Sequence, residues 1–243
     1  MPVKVVVLWA GQGRRIQKEY GGLHKAVIPL NGEPLMVHLL RNVKAAGADE
    51  LIPVLGYKGN ELLEVINSFD GFSSVTPVWN PDYDKTNNLA SLMCAERILS
   101  GNDFVVVNGD MVFDYRILQK MISIGGNAIA TDANDYGYQL DSPREYIKDG
   151  RILDIGRHRT IEESQGYAAG MYRFSASFSQ EYFSRGKKLT QINPNAGYHE
   201  PLIGILDRVN FVPCYTENYR WMDVDEKEDV VKAETMLNAL RTC

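Results

Sequence analysis

Short apolar runs alternate with amphipathic stretches along the first half of the chain. The apolar runs have the length and the β-branched content of buried parallel strands, and they cover residues 5–8, 51–55 and 75–78. The stretches between them place apolar residues at helical spacing, at Met36, Leu39, Leu40 and Val43 and then at Leu62, Leu63 and Ile66. This order of strand, helix, strand, helix and strand predicts a parallel sheet with right-handed crossovers.

The pattern changes after residue 127. Residues 127–131 predict a further strand, residues 132–143 form an irregular polar stretch, and Asp149-Gly150 is typical of a two-residue hairpin. The stretch Gly166–Phe174 predicts a strand that returns towards the first half, and its glycines favour close approach of a ligand or another backbone. We therefore expect an antiparallel extension of the same sheet.

The remaining apolar positions predict helices. Phe178, Tyr182 and Phe183 suit a short helix, residues 202–206 have helical spacing, and residues 230–240 predict a closing helix that packs on the core. Together these elements predict an α/β fold with a Rossmann-like, mostly parallel sheet and an antiparallel extension. We expect residues 1–243 to form a single domain.

A glycine-containing turn with basic neighbours follows the first predicted strand. Gly11 and Gly13 let the backbone turn sharply and approach a ligand without a Cβ in the way. Exposed backbone N–H groups in such a loop can hold phosphate oxygens, and Arg14, Arg15 and Lys25 supply matching cations. The loop therefore predicts a triphosphate site.

Other interpretations of the same glycines fit less well. A dinucleotide fingerprint, G-x-G-x-x-G, requires a third glycine where Ile16 stands. A Walker-type P-loop requires Gly-Lys-Ser or Gly-Lys-Thr, and neither follows. A plain strand-to-loop turn remains an alternative for an isolated G-x-G.

Polar residues also follow later strands. The segment of residues 80–91 contains a turn dipeptide, candidate helix N-caps and a further hydroxyl group, at Asn80-Pro81, Thr86, Asn87, Asn88 and Ser91. Asp110 comes directly after a strand predicted at residues 104–107. Because ligands bind beyond the carboxyl ends of parallel strands, we expect these residues near the glycine turn. Asp223 and Asp225 share a face if their segment is a strand, and an alternative for Asp225 is to cap the next helix.

Composition argues against several classes of protein. A formal net charge of −5 over 243 residues disfavours a broad nucleic-acid footprint. Cys94, Cys214 and Cys243 have no C-x-x-C spacing and are odd in number, which disfavours a zinc site or a disulfide framework. No stretch approaches the roughly 18 apolar residues of a membrane span, and the residues before Gly11 are too few for a signal peptide. We expect a cytoplasmic protein without nucleic-acid or membrane partners, and a homo-oligomer is left open.

Three motifs carry a resemblance to a known family. The string L-x-A-G-x-G-x-R, from Leu8 to Arg15 and closed by His24-Lys25, resembles the signature of the nucleotidyltransferases that activate sugar phosphates and small phospho-alcohols. Trp9 stands where that family has a small residue, and His24 where it usually has proline; His-Lys is similar to the bacterial phosphocholine cytidylyltransferases. The other two motifs are N-x-x-Y…T-N-N-x-x-S-L over residues 80–92, which resembles the cytidylyltransferase branch, and W-x-D-V-D-x-x-x-D over residues 221–229.

The resemblance implies a CTP-dependent cytidylyltransferase that joins CMP to a small phosphorylated or phosphonate acceptor and releases pyrophosphate. It implies that Arg15 and Lys25 neutralise the phosphates, and that Asp110 and Asp225 hold Mg²⁺. The residues that it implies for nucleotide binding are Leu8, Ala10, Gly11, Gly13, Thr86, Asn87, Asn88 and Ser91.

Acceptor binding is predicted from weaker signals. Glu200 and Trp221 would suit a cationic acceptor group, but Glu200 could instead cap a helix and Trp221 could be a core residue. A hexose-1-phosphate nucleotidyltransferase that uses UTP, dTTP or GTP is the nearest alternative function, because it shares the glycine loop, the lysine and the aspartates. A nucleotide-binding regulatory or scaffold protein without catalysis is the alternative from another class.

Overall fold

The computed structural model describes residues 3–134 and 142–241. The strands of the first part are β1 (Lys4–Trp9), β2 (Pro29–Leu30), β3 (Glu33–Pro34), β4 (Glu50–Leu55), β5 (Ser74–Val75) and β6 (Val78–Trp79). The helices of the same part are α1 (Arg14–Gln17), α2 (Leu35–Ala45), α3 (Gly59–Asn67), α4 (Asn88–Met93) and α5 (Glu96–Leu99). Short 3₁₀ turns lie at Lys18–Tyr20 and Lys25–Val27.

The second part adds eight strands and three helices among the described residues. The strands are β7 (Phe104–Asn108), β8 (Met111–Phe113), β9 (Asn127–Asp132), β10 (Arg144–Lys148), β11 (Arg151–Gly156), β12 (Gly166–Phe174), β13 (Phe211–Tyr215) and β14 (Trp221–Asp223). The helices are α6 (Tyr115–Ser123), α7 (Ala176–Ile192) and α8 (Lys227–Arg241), with a 3₁₀ turn at Glu200–Leu202.

The main sheet has a parallel half that centres on β1. This strand pairs in parallel with β4 on one side and with β7 on the other, and β4 pairs in parallel with β5 and β6. The side chains of Val5, Val6 and Val7 have no exposed surface, since helices cover both faces of the sheet. The predicted order of strands and helices in the first half is confirmed, except that the strand predicted at residues 75–78 is divided into β5 and β6.

The other half of the sheet is largely antiparallel and centres on β12. This strand pairs antiparallel with β7, β9 and β10, while β10 pairs antiparallel with β11 and β13 joins β9 in parallel. Asp149 and Gly150 connect β10 to β11 with φ angles of 51° and 73°, and both angles lie in the left-handed region that the predicted hairpin requires. The predicted α/β fold, with a mostly parallel sheet and an antiparallel extension, is confirmed.

Two helical predictions need correction. The helix marked by Phe178 and Tyr182 is not short, because α7 has 17 residues. Glycine has a low helix propensity, so Gly186 would by itself weaken such a helix. A Cβ at this position would lie 2.6 Å from the sulfur of Met93, so the glycine lets α7 pack closely on α4. Residues 202–206 do not form an α-helix: Leu202 ends the 3₁₀ turn, and the residues after it form turns in which Ile205 and Leu206 are buried.

Part of the predicted irregular stretch, residues 135–141, lies outside the described residues, and so does Cys243. Cys94 is exposed and Cys214 is buried, and both are free thiols. Within the described ranges, no helix combines the length and the apolar character that crossing a membrane requires.

Glu145 lies in β10 with its side chain fully buried, and burial raises its pKa to about 8. The folded state therefore holds this proton more tightly than the unfolded state, so the free energy of unfolding falls as pH rises from about 4.5 to about 8. Between pH 5 and pH 8, we expect the free energy of unfolding to fall by roughly 3 kcal/mol less in Glu145→Gln than in wild type. Urea unfolding at several pH values measures this, with the exposed Glu64→Gln as control. An unchanged pH slope in Glu145→Gln would contradict the prediction.

Candidate active site

Three adjoining cavities open at the carboxyl ends of β1 and β7. The first is lined by the glycine turn together with Arg15, His24 and Lys25. The second is lined by Leu8, Ala10 and the segment of residues 83–91. The third, of about 420 Å³, lies between that segment, β12 and residues 195–200. Asp110 lines all three cavities and therefore stands at their junction.

The glycine turn shapes the first cavity. Gly13 has a φ of 61°, and a Cβ on it would lie 2.7 Å from the Cβ of Lys25, so only glycine allows the turn to pack on the lysine stem. A Cβ on Gly11 would meet no described atom within 4 Å, which leaves the backbone of that residue open to the cavity. The two glycines thus have different tasks: one accommodates Lys25 and the other exposes backbone.

Lys25 forms a buried ion-pair cluster with the two predicted metal ligands. Its Nζ donates to Asp110 Oδ2 at 2.8 Å and also to Asp225 Oδ1. The side chain of Lys25 is only 8% exposed, and burial by itself would lower its pKa. The attraction of the two carboxylates outweighs burial and raises the pKa of Lys25 above its ordinary value. The lysine is therefore a fixed cation at the junction of the cavities.

Backbone pairing brings the two aspartates together across the chain. Asp110 follows β7 after Gly109, and β8 then pairs antiparallel with β14, which sets Met111 opposite Asp223. The backbone N–H of Val224 donates to the carbonyl of Asp110 at 2.9 Å, so Asp225 is held beside that carboxylate. Asp225 is not the cap of the last helix: Asp229 Oδ2 accepts from the backbone N–H groups of Asp225 and Glu226.

Arg15 completes the charged cluster from the solvent side. Its guanidinium lies 3.1 Å from Asp225 Oδ2, and its side chain is 61% exposed. Two cations, Lys25 and Arg15, therefore face the two carboxylates of Asp110 and Asp225. Both residues of the basic pair that was predicted to neutralise phosphates line the first cavity.

The predicted nucleotide residues around the second cavity are held by a buried amide. Asn80 is 3% exposed, and its Nδ2 donates to Thr86 Oγ1 at 3.1 Å and to Ser91 Oγ at 3.0 Å. Of the three candidate N-caps predicted for α4, Asn87 is the one in that position, because its Oδ1 accepts from the N–H of Asn88. Thr86, Asn87, Asn88 and Ser91 all line this cavity.

Trp9, Gly109 and His24 shape the site in ways that the sequence did not predict. The indole N–H of Trp9 donates to the carbonyl of Gly109 at 2.8 Å, and a Cβ on Gly109 would lie 2.2 Å from the carbonyl oxygen of Leu8. Burial lowers the pKa of His24 to about 4, so this residue is neutral at pH 7 and accepts from Ala26 N through Nδ1. Trp9 and His24, the two residues that depart from the family motif, thus make buried contacts that support the glycine turn.

The third cavity is polar and lies beside Asp223. Tyr198 donates its hydroxyl to Asn108 Oδ1 at 3.0 Å, and its ring meets Tyr172 edge-on at 4.8 Å between centroids. Glu200 lines this cavity, as predicted for an acceptor residue, while its Oε1 accepts from the N–H of Gly197 at 2.6 Å. Glu200 therefore also stabilises the loop that carries it.

Trp221 is a correction among the predicted acceptor residues. Its side chain is 1% exposed and packs in the core beneath the parallel sheet, and its indole N–H donates to Asp132 Oδ2 at 2.7 Å. It does not line the third cavity. Trp221 alternates with Met222 along β14, and the strand turns the tryptophan inward, so the aromatic surface of this cavity comes from Tyr172 and Tyr198 instead.

The carboxylates fit a hard divalent cation. Asp110 Oδ2 and Asp225 Oδ1 share one ammonium group, so they converge on a single cation position. Asp110 Oδ1 is buried and accepts no hydrogen bond from any described residue. Among residues 3–134 and 142–241, no three His, Cys, Asp or Glu residues form a metal cluster, so ligand phosphates would have to complete the coordination of an ion such as Mg²⁺.

Comparisons with known proteins agree on a family. The model of the MobA-like NTP transferase domain family matches residues 5–180, more than half of the chain. A CMP-5'-(3-aminopropyl)phosphonate synthase of Streptomyces rubellomurinus is 31% identical over 121 residues, which are 50% of this chain and 19% of that protein. A CTP:phosphoglutamine cytidylyltransferase of Campylobacter jejuni is 20% identical over 250 residues, which are 94% of this chain and 98% of that protein. The chain spans 19% to 57% of the length of the first three curated relatives that it matches.

A solved structure supports the fold. The structure of the inositol-1-phosphate CTP transferase from T. maritima superposes with a TM-score of 0.82 and covers 99% of this chain and 96% of that chain. The two sequences are 17% identical, so this likeness establishes the fold alone.

Proposed function

The chain belongs to the family of MobA-like NTP transferase domains, and on that premise we propose that it is a CTP-dependent cytidylyltransferase. It would join CMP to a small phosphorylated or phosphonate acceptor and release pyrophosphate. The observation that carries the proposal is the junction at Asp110, where three cavities meet: the first beside the glycine turn and its cations, the second beside residues 83–91, and the polar third. Such a junction can hold a nucleoside triphosphate and a second substrate side by side.

The proposed reaction is an in-line displacement at phosphorus. An oxygen of the acceptor phosphate or phosphonate bonds to the α-phosphorus of CTP, and the bond from that phosphorus to the oxygen bridging the α- and β-phosphates breaks. Pyrophosphate leaves with the electron pair of the broken bond. No covalent intermediate with the protein is needed, so catalysis consists of positioning and charge stabilisation.

The side chains divide these tasks. Lys25 and Arg15 would hold the triphosphate and stabilise the charge that develops on the departing pyrophosphate. Asp110 and Asp225 would hold Mg²⁺, which supplies Lewis-acid stabilisation of phosphate oxygens when bound. The backbone of Gly11 would orient the phosphates, and the third cavity would hold the acceptor with Glu200 in its wall.

The base would lie in the second cavity. Thr86, Asn88 and Ser91 offer hydroxyl and amide groups there, and Asn80 fixes the two hydroxyl oxygens. A site of this kind leaves polar groups unpaired when a wrong base enters, which disfavours that base. We also propose that the chain acts as one catalytic unit in the cytoplasm, without nucleic-acid or membrane partners.

A panel of nucleoside triphosphates tests the choice of CTP. We expect kcat/KM for CTP to exceed that for UTP, dTTP and GTP by about a hundredfold or more, because the polar base cavity discriminates by unpaired groups. Pyrophosphate release with a mixture of phosphorylated and phosphonate acceptors is the measurement. Ser91→Ala should reduce the preference, and Ser123→Ala on the distant helix α6 is the matched control.

Comparable kcat/KM values for UTP or dTTP would overturn the CTP assignment. They would favour a hexose-1-phosphate nucleotidyltransferase, which would share the glycine turn and both aspartates. No release of pyrophosphate with any triphosphate, from a protein that binds nucleotide, would favour the non-catalytic alternative.

A further inference from the structure

The two candidate metal ligands at the cavity junction are matched by two cations of the protein. Asp110 and Asp225 contribute two negative charges, and Lys25 and Arg15 contribute two positive charges within direct ion-pair distance. Lys25 engages one oxygen of each carboxylate, and Arg15 approaches the second oxygen of Asp225. Three of the four carboxylate oxygens therefore already face a cation of the protein.

This balance opposes the binding of a divalent metal ion. A dication is drawn to a site by excess negative charge and must also exchange water for protein oxygens. Here Lys25 and Arg15 offset the charges of Asp110 and Asp225, with Glu226 4.0 Å from Arg15 at the edge of the cluster and Asp223 in the wall of the third cavity. The ammonium of Lys25 also occupies the position where the carboxylates of Asp110 and Asp225 converge. Because Lys25 is almost fully buried, its attraction to the carboxylates is weakly screened by solvent.

A triphosphate changes the balance. Lys25 and Arg15 line the first cavity, so an incoming polyanion offers both cations new partners. Once they turn to phosphate oxygens, the two carboxylates carry uncompensated charge and are free to accept a metal ion.

We propose that Lys25 and Arg15 keep the metal-binding aspartates, Asp110 and Asp225, in a metal-excluding state until a nucleoside triphosphate draws the two cations away. This regulation rests on the proposed function, since it assumes a metal ion at these aspartates. It makes metal and triphosphate binding mutually reinforcing, because any change that one ligand makes in the affinity of the other is reciprocal. The site would not load metal in the absence of nucleotide.

Mn²⁺ binding to the nucleotide-free protein tests this. The electron paramagnetic resonance signal of free Mn²⁺ reports binding without any turnover. We expect wild type to bind Mn²⁺ weakly and Lys25→Met to bind it at least about tenfold more tightly, because the variant leaves a buried pair of carboxylates without its internal cation. Arg15→Gln should give a smaller increase, since that side chain is mostly exposed and its charge is screened.

Matched variants test whether the gain in Mn²⁺ binding arises at Asp110 and Asp225. Lys4→Met removes another ion-paired lysine, bonded to Glu50 at the opposite end of β1, and should bind Mn²⁺ as wild type does. Adding Asp225→Asn to Lys25→Met should abolish the gained binding. If Lys25→Met does not fold, Lys25→Gln and a Mn²⁺-dependent increase in Tm provide the same comparison.

Tight Mn²⁺ binding by nucleotide-free wild type, equal to that of Lys25→Met, would overturn the proposal. An unchanged weak affinity in both Lys25 variants would overturn it as well. These outcomes are separate from the test of the proposed function, because no nucleotide or acceptor is present: the exclusion of metal can hold even if CTP is the wrong nucleotide.

Discussion

Asp110→Asn and Asp225→Asn should each lower Mg²⁺-dependent turnover by about a thousandfold, close to loss of activity. The physical reason is that an amide cannot replace the charge of a carboxylate at a hard dication, and Asp110 and Asp225 are the two carboxylates that converge where Lys25 is held. Pyrophosphate release under saturating CTP and acceptor measures the effect. Circular dichroism and Tm establish that each variant is folded.

Asp223→Asn is the matched control for this pair. Asp223 lines the third cavity two residues before Asp225, whereas Asp110 and Asp225 are the carboxylates that accept from Lys25, so substitution of Asp223 should be milder and should act mainly on KM for the acceptor. A severe loss at Asp223 together with little change at Asp225 would show that the metal ligand is the other member of the pair.

Much of this site could be predicted from short stretches of sequence. The glycine turn, the end of β7 before Asp110 and the capping segment at residues 86–88 are each built from residues only a few positions apart, so local rules for turns, caps and strand ends apply to each of them. Their convergence could also be predicted, because the carboxyl ends of neighbouring parallel strands meet at one edge of the sheet. For this reason Thr86, Asn87, Asn88 and Ser91 were predicted near the glycine turn, and all four line the second cavity together with Gly11.

Contacts between distant positions could not be predicted in the same way. Lys25 and Asp225 are 200 positions apart, and only the pairing of β8 with β14 brings the aspartate to the lysine. The sequence indicated separate phosphate and metal tasks for these residues, whereas the structure joins them in one ion-pair cluster. Periodicity gave no information on that contact.

The direction in which individual side chains point was also not predicted correctly from the sequence. Trp221 was predicted near an acceptor because it stands close to Asp225 in sequence, but successive residues of a strand point to opposite faces. The structure turns Trp221 into the core and leaves Met222 on the other side. The network of Asn80 was missed for a related reason, since Asn80-Pro81 fits a turn without any use of the amide side chain.

Lys25→Ala should lower turnover by about a hundredfold or more, because it removes a fixed cation from the place where negative charge develops on the leaving pyrophosphate. The ammonium is held by two carboxylates and is nearly fully buried, so no other described side chain occupies its position. Steady-state pyrophosphate release at saturating Mg²⁺ and CTP measures kcat, and Lys4→Ala at the far end of β1 is the control for loss of an ion-paired lysine.

Loss of Lys25 should thus have opposite effects on two measurements, which separates a catalytic role from general damage. A misfolded variant would bind metal less well and turn over more slowly, whereas removal of a transition-state cation that also competes with metal lowers kcat while Mn²⁺ affinity rises. Near-normal kcat in folded Lys25→Ala would place the lysine outside the phosphate site. In that case its contacts with Asp110 and Asp225 would be structural, and Arg14 and Arg15 would be the remaining cations that line the first cavity.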